Sequence, residues 1–217
     1  MSDPQPTIDP RDDQDREGPS AGLDDLDMVL GYRGAADERS GVSEVGAELY
    51  LVPFWTPSFC SAVIRAAEAV GGFHPDPDDP VPGHEVSLAT ISPVLFQAVQ
   101  DDIGARIWPQ LQTVWPLIEY AGLRDAFVIR YRMGEQTSLR LHQDVAQVSA
   151  TVRLNDGYRG AALSFPRQGF DNTGQPVGSL LAWPSLVTHP HEAAPLLDGT
   201  KYGLTIWCDL PGDVAVY

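Results

Sequence analysis

The chain has 217 residues, a formal net charge of −16 and a pI near 4.4, which allows one catalytic-size domain plus an appendage and argues against a nucleic-acid partner, since phosphate neutralisation needs clustered Lys or Arg. No apolar run approaches the roughly eighteen residues of a membrane span, and no basic stretch leads into an apolar core at the N-terminus. Neither a membrane partner nor a signal peptide is therefore expected. Cys60 and Cys208, the only cysteines, are too far apart for a redox pair or zinc knuckle. They read as ordinary buried thiols of a cytoplasmic protein.

Residues 1–45 hold twelve acidic residues against four arginines, a net charge of −8 and half of the total. Rich in Pro, Gly and Ser, this stretch buries too little apolar surface to offset its ordering entropy, and is expected to be a disordered tail. Leu23, Leu26, Met28 and Leu30 form its one apolar patch. The domain is then residues 46–217. Residues 48–52 alternate as a strand. Thr56 followed by Pro57 predicts an N-cap with proline at the first helical position, and the helix runs through Ile64 and Glu68 to Gly71-Gly72. Residues 73–85 are proline-rich and acidic without periodicity, which suggests a functional loop or lid; its His74 and His84 read as solvated. A second helix starts at Ser92-Pro93 and continues through Val99 and Ile103 towards Val114, with Pro109 set to kink it.

From Leu123 onward the chain reads as strands and turns, at residues 126–133, 139–144, 147–154, 162–165, 178–183, 187–192 and 201–209. This pattern predicts a mainly β fold, a double-stranded β-helix (jelly roll) with the N-terminal helices covering one sheet. Within the second strand, His142 and Asp144 are two residues apart and share a face, so both reach one cation while Gln143 points away. His191 follows downstream, with Lys201, the chain's only lysine, ten residues beyond it. Two imidazoles and a carboxylate make the facial triad of Fe(II) oxygenases, with positions left open for co-substrate and dioxygen. His189 competes with His191 for the role of second imidazole. Arg130, Arg132, Arg140 and Arg153 form a basic group, some of it expected at the site's mouth. Trp183, Trp207 and Tyr202 read as core aromatics.

The run Ile129-Arg130-Tyr131-Arg132-Met133-Gly134-Glu135-Gln136-Thr137-Ser138-Leu139-Arg140-Leu141-His142-Gln143-Asp144 resembles the catalytic domain of procollagen lysyl hydroxylases, within the prolyl and lysyl hydroxylase group of 2-oxoglutarate oxygenases. So does the run from Thr188 to Tyr202, Thr-His-Pro-His-Glu-Ala-Ala-Pro-Leu-Leu-Asp-Gly-Thr-Lys-Tyr. The resemblance spans about residues 123–210. It implies His142, Asp144 and His191 as catalytic metal ligands for Fe(II), and Lys201 as partner of the far carboxylate of 2-oxoglutarate. The lysyl hydroxylases carry Arg at that last position. A lysine cannot form the bidentate fork, so Tyr131 or Thr151 is expected to assist; Tyr131 reads equally as a packed strand residue. The implied chemistry consumes dioxygen, releases succinate and carbon dioxide and hydroxylates a C–H bond, with ascorbate to keep the iron reduced. By analogy alone the substrate is an amino-acid side chain, free, carrier-bound or in a peptide. The competing readings are a tailoring oxygenase that desaturates or cyclises a small molecule, and a non-catalytic jelly-roll binding module.

Overall fold

The computed structural model describes residues 31–32, 41–75 and 77–210. The Leu23 to Leu30 patch lies outside the described residues. The expected alternation appears as strands β1 (Ser43–Gly46), β2 (Leu49–Pro53), β3 (Glu85–Ser87), β4 (Leu123–Arg132), β5 (Leu139–His142), β6 (Val148–Arg153), β7 (Arg159–Gly160), β8 (Leu163–Phe165), β9 (Phe170–Asp171), β10 (Ser179–Pro184), β11 (His191–Ala193), β12 (Leu196–Asp198) and β13 (Thr200–Cys208). They pair antiparallel into a seven-stranded sheet of order β1-β2-β10-β6-β13-β4-β3, a four-stranded sheet of order β5-β11-β8-β9, and the short pair β12-β7. This is the jelly roll that the strand pattern predicts. The large sheet begins inside the segment assigned to the tail, because β1 starts at Ser43 and pairs with β2.

The helices form where capping chemistry allows. Helix α1 (Pro57–Val70) opens with Thr56 Oγ1 accepting from the Phe59 N–H and ends at Gly71, whose φ of 70° is costly for any residue with a Cβ. After α2 (Leu88–Ile91), a short turn that the sequence pattern does not reveal, Ser92 caps α3 (Pro93–Asp102) by accepting from the Leu95 N–H. The backbone then widens into one π-helical turn, Ile103–Ile107, before α4 (Trp108–Leu111), which carries Pro109. A proline has no N–H for the preceding turn and its ring collides with the carbonyl four residues back; widening that turn accommodates both without breaking the helix. Among the described residues no helix is long and apolar enough to cross a membrane.

The period-two alternation of the large sheet sorts its side chains into two environments. Ala126 and Val128 of β4, Val148, Ala150 and Val152 of β6, Leu180 and Ala182 of β10 and Tyr202, Leu204 and Ile206 of β13 join the cluster formed with Phe59, Val63, Leu95 and Val99 of the helices. Each large apolar side chain so buried contributes about 1.5–3 kcal/mol. The alternate positions, Phe127, Ile129 and Tyr131 of β4, Thr151 of β6 and Lys201, Gly203, Thr205 and Trp207 of β13, face a cavity of about 460 Å³ towards the four-stranded sheet. Gly178 sets the start of β10: a Cβ there would lie 1.9 Å from the Trp55 carbonyl oxygen.

Candidate metal centre

His142 at the end of β5 and His191 at the start of β11 are direct cross-strand partners, so their imidazoles leave the small sheet on one face, with ring centroids 4.4 Å apart. The strand holding His142 ends at that residue rather than at Asp144. Asp144 lies in the turn that follows, and still returns to the same side. Its Oδ1 is 3.6 Å from His142 Nε2 and its Oδ2 is 3.6 Å from His191 Nε2. Both distances are too long for hydrogen bonds. All three ligand atoms lie within 4.8 Å of one another, the one such cluster among the described residues.

The surroundings prepare these atoms for a cation. His142 Nδ1 is 2.8 Å from the Arg140 carbonyl and His191 Nδ1 is 3.0 Å from the His189 carbonyl. A carbonyl only accepts, so the proton of each neutral ring sits on Nδ1 and the Nε2 lone pairs converge on the space beside Asp144. Burial pushes the His191 imidazole below its ordinary range, with the Asp144 carboxylate pulling the other way. Asp144 Oδ2 is buried and accepts no hydrogen bond. A carboxylate left in that state costs several kcal/mol unless a cation balances it, and the donor set of two imidazoles and a carboxylate fits Fe(II).

Four hydrogen bonds fix the turn carrying Asp144. Leu186 N–H donates to the Asp144 carbonyl at 3.0 Å, Arg124 Nη1 to Val145 at 2.9 Å, Ser185 N–H to Gln147 at 3.3 Å, and Gln147 N–H to Cys208 at 3.0 Å. Leu186 makes its bond at a φ of 61°, a strained conformation for a branched side chain. His189 does not compete for the metal position. Pro190 follows it and β11 begins only at His191, so the two imidazoles part, and His189 Nε2 donates to the Ala47 carbonyl at 3.0 Å while Nδ1 contacts Thr188 Oγ1 at 2.9 Å.

Lys201, on β13, is buried in the wall of the same cavity, directly opposite Tyr131 of β4. Its Nζ donates to the Ala161 carbonyl and lies 5.3 Å from the Tyr131 ring centroid. No carboxylate pairs with it among the described residues. Burial, with the nearby Arg153 charge, lowers its ammonium pKa to about 8. Tyr131 and Thr151 line the cavity too. Neither hydroxyl makes a hydrogen bond among the described residues, and burial together with the Glu85 charge holds the Tyr131 phenol above its ordinary range.

Some expectations move. Arg130 and Arg132 point to the helix side, where they pair with Glu68 at 3.0 and 3.1 Å; Arg153 pairs with Asp156 and Arg140 donates to Pro80 and Leu141 carbonyls. None of the four lines the cavity; Arg130 and Arg132 take the helix-side face of β4, and Arg140 and Arg153 turn to those partners. Tyr202 is a core aromatic, whereas Trp183 and Trp207 form cavity wall, the former edge-on to His191 at 5.0 Å. Neither His74 nor His84 lines the cavity. The acidic loop reaches it through Asp78 to Val81, and Arg124 and Val145, which the sequence pattern does not single out, complete its rim.

No family model matches the chain. In sequence it is 28% identical over 195 residues to a multifunctional procollagen lysine hydroxylase and glycosyltransferase from Rattus norvegicus, covering 82% of this chain and 26% of that protein. In fold it matches a viral collagen prolyl hydroxylase from Paramecium Bursaria Chlorella virus-1, solved as a 2OG complex, with a TM-score of 0.54 and 14% identity over 76% of this chain and 97% of that one. The chain is prolyl and lysyl hydroxylase-like. A Pseudomonas putida prolyl-4-hydroxylase structure matches with a TM-score of 0.55 and 20% identity, covering 76% of this chain and 94% of that one. The hydroxylase-like chain spans about a quarter of the length of the curated relative.

Proposed function

We propose that this protein is an Fe(II)- and 2-oxoglutarate-dependent dioxygenase that hydroxylates an unactivated C–H bond of an amino-acid side chain. The observation that carries the proposal is a buried lysine without an anionic partner among the described residues, in the same cavity as a converging His142, Asp144 and His191. A buried cation is costly unless something balances it, and a ligand with a carboxylate at each end balances Lys201 while reaching the triad. His142, Asp144 and His191 would hold Fe(II), and Lys201 with the Tyr131 and Thr151 hydroxyls would hold 2-oxoglutarate. Together with dioxygen these groups supply oxidative decarboxylation to succinate and carbon dioxide, coupled to C–H hydroxylation.

The protein's own part is positional. The Arg140 and His189 carbonyls fix both imidazole tautomers, and the hydrogen bonds to Leu186, Arg124, Ser185 and Cys208 hold Asp144 in place. Phe127, Ile129, Leu163 and Trp183 give the cavity apolar wall beside its polar lining. Lys201 is buried, so its charge acts at a lower dielectric than in bulk water. A reducing compartment belongs to the same proposal: Cys60 and Cys208 are both free and buried, and burial pushes both thiols up to about 12. Anaerobic addition of 2-oxoglutarate to the Fe(II)-loaded protein should give a metal-to-ligand charge-transfer band, and air should then yield succinate. Absence of both, with Fe(II) bound, overturns the proposal.

A further inference from the structure

Two basic side chains line the cavity, Lys201 and Arg124. They belong to opposite ends of it. Lys201 is the register partner of Tyr131, whereas Arg124 lies near the start of β4, roughly 20 Å away along an extended strand. Along β13 the register passes from Trp207 opposite Asp125 to Cys208 opposite Leu123. Arg124 is therefore the extra residue of a β-bulge, and the bulge is what turns an even-numbered β4 side chain out of the helix-side pattern and onto the cavity.

At that end Arg124 sits beside the metal centre, donating through Nη1 to the carbonyl of Val145, the residue after Asp144. That bond holds the side chain but leaves the other donors of the guanidinium fork without an acceptor among the described residues. Arg106, Arg130, Arg132, Arg153 and Arg159 each face a carboxylate. Arg124 faces none. In a chain of net charge −16 an anion is repelled from most of the surface, so an exposed guanidinium at the cavity's rim with no carboxylate partner among the described residues marks where one is admitted. The lining also includes the carboxyl side chains of Asp78, Asp79 and Glu85, brought in by the loop before β3 and by β3 itself. Phe127 and Trp207, packed edge to face with centroids 5.1 Å apart, provide apolar wall.

We infer that Arg124 binds the substrate's own carboxylate, so that the substrate is a free α-amino acid rather than a residue inside a peptide. An internal peptide residue carries no free carboxylate. This inference rests on the dioxygenase reading and narrows it. The planar fork of arginine matches a carboxylate bidentately, and losing such a charge-assisted contact weakens binding roughly ten- to a hundredfold.

The test uses the full-length Fe(II)-loaded protein and measures succinate release stimulated by the standard L-amino acids, their C-terminal amides, and capped and free-carboxyl tripeptides. At least one free acid should stimulate with a KM roughly ten- to a hundredfold below that of its amide, and R124Q should abolish this acid-over-amide preference. Ligand-observed NMR with the same panel reads the preference independently of turnover: acid-selective binding that R124Q loses upholds the inference even if no succinate forms, in which case only the dioxygenase reading falls. Free-carboxyl tripeptides performing as well as free acids would keep the role of Arg124 and overturn the free amino acid. Amides or capped peptides binding as well as acids, a preference that survives in R124Q, or no acid bound at all, overturns the inference outright.

Discussion

A buried Asp144 carboxylate between two imidazoles that present lone pairs is unstable as a set of charges and dipoles unless a cation joins it, which makes the ligand assignment testable residue by residue. Asp144→Ala or His191→Ala should abolish coupled turnover and weaken Fe(II) binding, read by metal titration. His189→Ala, which removes only the contacts to Ala47 and Thr188, should leave iron affinity largely intact; the reverse result would exchange the two histidines. Lys201 has a sharper signature. Its folded pKa of about 8 lies below the ordinary lysine value, so the cost of burying its charge is fully present below pH 8 and relieved as pH rises towards the unfolded value. The ligand-free protein should gain stability in that window, while 2-oxoglutarate, which needs the ammonium, should bind progressively more weakly above pH 8. Lys201→Ala should raise the 2-oxoglutarate requirement roughly ten- to a hundredfold and flatten both profiles, with Fe(II) affinity little changed. Unchanged 2-oxoglutarate titrations in this variant would remove Lys201 as the anchor. These residues are legible in the sequence because their types and spacing, with the resemblance to the lysyl hydroxylases, mark them before any strand is assigned. Arg124 is not, because its direction depends on a bulge that no local pattern announces.

Between elements, the largest polar contact ties α1 to β4 on the side away from the cavity. The Arg130 guanidinium lies 4.2 Å over the Phe73 ring and reaches Glu68 at 3.0 Å and Glu135 at 2.6 Å. Glu68 also accepts from Tyr202 and Arg132. Burial raises the Glu68 carboxyl, but these hydrogen bonds outweigh it and the net shift is downward. Its contribution to stability is therefore present above the ordinary carboxylate pKa and is lost as pH falls through the lowered folded value. Glu68→Ala would leave the buried Arg130 guanidinium with Glu135 as its remaining carboxylate partner. The Glu68 side chain is 34% exposed, so solvent screening reduces the cost below that of a fully buried pair, to about 2 kcal/mol. Urea melts at pH 7 should show this loss, and melts near pH 3 should show much less of it; equal losses at both would assign the effect to packing alone. Of the expected basic group of Arg130, Arg132, Arg140 and Arg153, Arg130 and Arg132 meet on Glu68 away from the cavity, while Arg140 and Arg153 bond elsewhere. Strand period fixes which face a residue takes, but only the partner strand decides which face is the cavity. The same limit applies to Pro109, whose effect on its helix was legible while the π-helical turn that absorbs it was not.

For the whole molecule, the composition of residues 1–45 argues for a dispensable acidic tail, yet the fold reaches back into it. Tyr32 packs against Trp55 and Phe59 at centroid distances of 6.2 and 5.5 Å, and its hydroxyl donates to Asp102 at 2.7 Å. Averaged over forty-five residues, one buried tyrosine and a four-residue edge strand leave no mark on composition, which is why the boundary was illegible. Two truncations separate the possibilities. Removing residues 1–30 takes away charge and the Leu23 to Leu30 patch while retaining Tyr32 and β1, and should shift the melting temperature by no more than about 2 °C, on the order of 0.5 kcal/mol. Removing residues 1–45 deletes the tyrosine and most of β1, and exposes the edge of β2. Emptying a buried aromatic site alone costs about 3 kcal/mol, or roughly 6–12 °C for a chain of this size. Tyr32→Ala in the full chain should reproduce most of that fall, and Tyr32→Phe only the part due to the Asp102 hydrogen bond. A shorter truncation that destabilises as much as the longer one would mean that the patch packs on the domain, and equal stability of all four variants would show that Tyr32 is not anchored in solution.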